Sequence, residues 1–158
     1  MDIPLTLDTG LSLLSLALLT PDRVEGLATV ALVEGIDTPR IRQLAGGSFV
    51  QDGDIREMLV AELAKRGIEP PSRSEAARHM AKAISAEILD KRADPFEAAR
   101  YLALISRAAE SGGSEFHELD PFVYVDGEAE GRPEDREFFR EAITNEARRW
   151  VETGRGSI

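Results

Sequence analysis

Apolar residues recur every three to four positions along most of the chain, in runs that open at a capping residue followed by proline and close at glycine. Four such openings occur: Thr20-Pro21, Thr38-Pro39, Asp94-Pro95 and Asp120-Pro121. Proline at the first helical position forfeits no hydrogen bond, because that N–H lies outside the helical ladder, and the Thr or Asp before it accepts from exposed amides. The pattern predicts a first helix over about residues 10–19, capped by Asp8 or Thr9, and a second from Pro21 with the stripe Val24, Leu27, Ala28, Ala31, ending at Gly35. A short third helix runs from Pro39 to Gly46-Gly47. The fourth, capped by Asp52 or Asp54, carries Ile55, Met58, Leu59 and Leu63 and ends at Gly67. A capping box, Ser72 to Glu75, opens the fifth, which places Ala77, Met80, Ala81, Ile84 and Ile88 on one face and runs to about Arg92. A second box, Asp94 to Glu97, opens the sixth, whose continuous run Leu102 to Ile105 predicts burial on most sides. The last helix, about residues 133–152, turns Phe139, Ile143, Ala147 and Trp150 inward.

Residues 113–132 have no sustained period and contain Pro121, Gly127 and Gly131. Phe122 to Val125 has strand-like composition, but a lone strand has nothing to pair with, so a short helix opened by Asp120-Pro121 is expected. Ser111-Gly112-Gly113-Ser114 before it has the composition of a flexible linker. The expected architecture is all-α: one domain over residues 1–158, an irregular or orthogonal bundle of six to seven helices with the first and sixth central, and one long acidic connection before the last helix.

Composition narrows the class. At 158 residues the chain can bury roughly 70% of its unfolded surface without staples. It has no cysteine, which removes disulfides, thiolate metal sites and cysteine nucleophiles and favours a reducing compartment. The longest apolar run, Leu11 to Leu19, is broken by Ser12 and Ser15 and is shorter than a membrane span requires; no basic residue precedes it and no cleavage pattern follows. A cytoplasmic location is expected. The net charge is −10 at pH 7, and the final third, residues 111–158, carries 12 acids against 6 bases. Phosphate binding wants the opposite sign, so a nucleic acid is not the expected partner, and neither is a membrane.

No phosphate loop, dinucleotide fingerprint, nucleophile elbow, zinc-protease helix or EF-hand loop is present, and no Glu-x-x-His pair that a binuclear carboxylate centre would need. No catalytic, cofactor or metal-binding residue is therefore assigned. Two histidines supply an alternative. His79 follows Glu75 by one helical turn, and His117 sits in the acidic run Glu115 to Asp120, so a metal-dependent helical enzyme would use these two with nearby carboxylates. A third reading, a helix-turn-helix-type regulator, would use residues 39–65 with Arg40, Arg42 and Arg56 as its basic patch.

The run from Glu115 to Glu137 has nine acids against Arg132 and Arg136, interleaved with Phe116, Phe122 and Tyr124. Charge there steers a basic partner inward, and aromatic side chains supply contact area. The first functional reading is thus a non-catalytic interaction module that binds a basic protein, of the immunity or antitoxin kind, through Glu118, Asp120, Phe122, Tyr124, Asp126, Glu128 and Glu130. Self-association stays open. The segments Gly35-Ile36-Asp37-Thr38-Pro39, Arg66-Gly67-Ile68-Glu69-Pro70-Pro71, Asp94-Pro95-Phe96-Glu97-Ala98-Ala99-Arg100, Asp120-Pro121-Phe122-Val123-Tyr124 and Glu146-Ala147-Arg148-Arg149 resemble a family of small all-helical bacterial proteins. That resemblance implies a bacterial origin and carries no activity or residue roles.

Overall fold

The computed structural model describes residues 1, 3–47, 54–111, 113 and 115–156. These form eight α-helices and one 3-10 turn, with no strand among the described residues. In chain order they are α1 (Leu7–Ser15), α2 (Pro21–Val33), α3 (Pro39–Ala45), α4 (Ile55–Ala64), α5 (Arg73–Leu89), α6 (Pro95–Glu110), α7 (Asp120–Glu128) and α8 (Arg136–Thr153), with the 3-10 turn at Pro133–Asp135. The count exceeds the expected six or seven, and the short helix expected after Asp120-Pro121 is present as α7. No helix is long and apolar enough to cross a membrane among the described residues. The chain divides into two compact units, residues 4–72 and residues 1–3 with 73–158.

In the first unit α2 packs against α1, α3 and α4, burying Val24, Leu27, Ala28 and Ala31 as its periodicity predicts. α1 starts earlier than its apolar run suggests. Thr6, not Asp8 or Thr9, is the cap: its hydroxyl accepts from the Thr9 amide at 3.2 Å, and Thr9 Oγ1 accepts from the Thr6 amide at 2.9 Å, so each threonine satisfies an amide the helix leaves open. The helix also stops short of residue 19. Leu18 donates to the Leu13 carbonyl at 2.8 Å and Ala17 to the Leu14 carbonyl at 3.0 Å, a carboxyl-terminal turn that puts Ala17 at φ 57°. Glycine normally occupies that position, which is why the sequence gives no stop signal there. The same turn ends α2 at Gly35 and α4 at Gly67, where the signal is present. Thr38 caps α3 through the Ile41 amide and Asp54 caps α4 through the Arg56 amide. Asp52, the other candidate cap, lies outside the described residues.

In the second unit α5 lies against α6 and α8, and α6 also against α7. Asp94 caps α6 by accepting from the amides of Phe96 and Glu97, at 3.0 and 3.1 Å. Ile84, Leu102, Ile105, Phe122, Phe139, Ile143 and Trp150 fill the interior. α6 is more one-sided than its run of apolar residues predicts: Leu104 is 40% exposed between the buried Ala103 and Ile105. α5 ends at Leu89, with Lys91 at φ 58° in a glycine-type turn. After α8, Gly154 takes the left-handed conformation and Gly156 lies against the Glu118 carbonyl and the Trp150 ring, too close for any side chain. The termination of α8 is thereby tied to the segment that leads into α7.

Candidate interaction surface

α7 is opened by local chemistry but not by the expected cap. Leu119 is the capping residue and makes no side-chain bond, while Asp120 and Pro121 are the first helical residues, where a negative charge and a missing amide are both favourable. Leu119, Phe122 and Val125, three residues apart, are buried. One helical line away, Asp120, Tyr124 and Glu128, four residues apart, face outward; Tyr124 is 57% exposed. α7 thus presents a phenol ring with a carboxylate one turn before it and another one turn after it.

The seven residues expected at this surface therefore separate. Asp120, Tyr124, Glu128 and Glu130 are exposed. Phe122 is fully buried, so it holds α7 in its own unit and does not reach a partner. Glu118 is engaged by Arg78 of α5, whose Nε and Nη2 donate to its carboxylate at 2.9 and 2.5 Å; the same guanidinium lies 5.9 Å from the centre of the Phe116 ring. That hydrogen-bonded carboxylate holds the Arg78 charge on, above the ordinary arginine range. Asp126 is half-buried, 3.6 Å from Arg100.

Nearby arginines are drawn into contacts of their own. Arg132 pairs with Asp135 and lies 5.5 Å from the centre of the buried Phe139 ring, and Asp135 first, with Tyr124 and Glu128, raises its affinity for its proton. Arg136 and Arg140, one turn apart on α8, both stand over Phe96, at 4.4 and 5.4 Å. Glu128, Glu130, Glu134 and Glu141 make no ion pair with any described residue and are exposed. No protein-family model, curated protein or solved structure matches the chain.

The histidines are both exposed. His117 has Asp120 at 3.2 Å and Glu115 at 3.7 Å and lines an open cleft of about 320 Å³ with Glu110, Gly113 and Glu115. Among the described residues no three histidine or carboxylate side chains are grouped to hold a metal ion. Two of the three arginines of the regulator reading are occupied by carboxylates. Arg42 forks onto Asp37 at 2.5 and 2.6 Å, Arg56 onto Asp54 at 3.1 Å, and these hydrogen bonds hold both aspartates below the usual carboxylate range. Arg40 reaches Gln43 and the Met58 sulfur.

One surface residue is absent from the sequence-derived set. Phe138 is 63% exposed, the largest fraction of any described aromatic. The signal was present: the inward stripe Phe139, Ile143, Ala147, Trp150 leaves the residue before Phe139 off the buried face.

Proposed function

We propose that this chain is a non-catalytic interaction module, an irregular bundle of helices whose acidic α7 face binds a basic protein. The observation that carries the reading is the outward line Asp120, Tyr124, Glu128, with Glu130 beyond it, beside arginines that are turned onto Phe96, Phe139, Asp126 and Asp135. Exposed carboxylates raise the encounter rate with a cation, and the ring between them offers contact area and a face for an ammonium or guanidinium group. Neutralisation of a basic toxin in the cytoplasm, as immunity and antitoxin proteins do, fits these properties by analogy of charge and helicity.

The test is capture from the native host on the immobilised chain at low ionic strength, followed by elution with salt. The expected product is a basic protein released near 0.3 M, where the Debye length falls to roughly 6 Å. The triple variant Asp120→Asn, Glu128→Gln, Glu130→Gln should lose it. A control with the same charge change, Asp22→Asn, Glu34→Gln, Glu69→Gln, should keep it. Equal capture by the two variants, or no basic protein bound by the native chain, rejects the reading.

A further inference from the structure

Phe138 is a second exposed ring on a helix that packs against α7, apolar where α7 is charged. Its ring meets the buried Phe139 edge-on, with centroids 5.6 Å apart, and otherwise faces outward. It is flanked by Glu134 in the 3-10 turn before α8, by Glu137, which lies 3.5 Å from Arg140, and by Glu141 a turn after, all exposed. Arg132, in the short connection between α7 and α8, stands over Phe139, and the two helices pack against each other. The two exposed rings, Tyr124 on α7 and Phe138 near the start of α8, thus lie on packed neighbouring helices and are both bordered by carboxylates.

We infer that the partner of this surface is a cationic amphipathic segment of another protein, with an apolar side chain that covers Phe138 and Lys or Arg residues that reach the carboxylates around both rings. This rests on the acidic-face reading above and specifies the partner. Charge complementarity selects the occupant. A second copy docked through the same face would set Glu134, Glu137 and Glu141 against their own equivalents, because a two-fold contact places each patch on itself. An anionic lipid surface is repelled for the same reason. A segment carrying positive charge alone would leave Phe138 in water, and one that is apolar alone would strip water from the carboxylates without replacing it.

The experiment measures binding of two labelled synthetic helical peptides of equal positive charge, one of Lys and Leu and one of Lys and Ser, to the full chain. The Lys–Leu peptide should bind about tenfold tighter, the contribution of burying one large apolar side chain at an interface. Phe138→Ala should reduce that ratio to near one, whereas Phe138→Leu should preserve it. The pair Asp120→Asn, Glu128→Gln should weaken both peptides alike and leave the ratio intact. Val33→Ala, at an apolar residue 84% exposed in the other unit, should change nothing. Emission of the single, fully buried Trp150 reports that each variant is folded. A ratio near one in the native chain, or one that survives Phe138→Ala or falls equally with Val33→Ala, overturns the assignment of Phe138 while the acidic-face reading stands. Failure of both peptides to bind overturns the two together.

Discussion

Arg78 and Glu118, on α5 and on the turn before α7, form a forked ion pair in which two guanidinium nitrogens reach one carboxylate. Forty residues separate them in sequence, so the pair fixes where α7 begins relative to α5. It also removes Glu118 from the surface available to a cation. Arg78 is 40% exposed, and solvent screening limits such a pair; a double-mutant cycle with Arg78→Ala and Glu118→Gln should give a coupling of about 1 kcal/mol. Arg78→Lys should recover little of it, since an ammonium can neither fork nor lie flat over Phe116. Urea titration followed by Trp150 emission measures each corner. A coupling near zero would mean that the Gly156 and Phe116 contacts alone place this segment.

Ala17 and Lys91 occupy helix-terminating positions with φ 57° and 58°. A side chain there sits too near the following carbonyl, and glycine relieves that crowding at the expense of greater freedom in the unfolded chain. Ala17→Gly and Lys91→Gly should each stabilise by about 0.5–1 kcal/mol. A shift of the urea midpoint to lower concentration in either variant would contradict the turn geometry.

Gly10 lies in α1 against the fully buried Leu27 of α2, where an added Cβ would overlap Leu27 Cδ1 and lie 2.8 Å from Cδ2. Alanine is the better helix former by about 1 kcal/mol, but overpacking a closed contact costs about 1–3 kcal/mol. Gly10→Ala should therefore destabilise. With Leu27→Ala already in place the crowding disappears, and the same change should become neutral or stabilising. Thermal melts of the four proteins decide between packing and propensity.

Glu87 is held below the usual glutamate range first by its hydrogen bond from Arg92, at 2.7 and 2.8 Å for the two nitrogens, and by the charge of that guanidinium. A carboxylate that binds its proton less well when folded stabilises the fold above its unfolded pKa of about 4.3, and that contribution disappears as pH falls through the lower folded value. Stability should fall on acidification below about pH 4.3, and Glu87→Gln should flatten the fall while lowering stability at neutral pH. Urea midpoints from pH 7 to pH 3 check this. An identical slope in the variant would assign the acid sensitivity to Glu62, held down by Lys65 and Thr38, and to the aspartates beside Arg42 and Arg56.

Phe122 and Phe138 show why part of the surface was readable and part was not. Aromatic residues inside an acidic run look alike in sequence, and with only nine residues in α7 the period is too short to assign its faces before the helix is known to form. α8 is long enough for its stripe to identify Phe139 as inward, and the exposure of Phe138 follows from that one assignment. The early start of α1 was missed because the reciprocal threonine pair lies before the apolar run.

Composition and local pattern suffice for the all-helical class, for most helix starts and stops, and for the excess of carboxylates in the last third of the chain, because capping, proline geometry and side-chain periodicity act within a few residues. Tertiary contact decides which of those carboxylates stay open to a partner. Glu118 is claimed by an arginine forty positions away, Asp126 by one on α6, and Arg136 and Arg140 are turned onto Phe96. Charge pairing depends on distance in space, and only the packed helices set that distance.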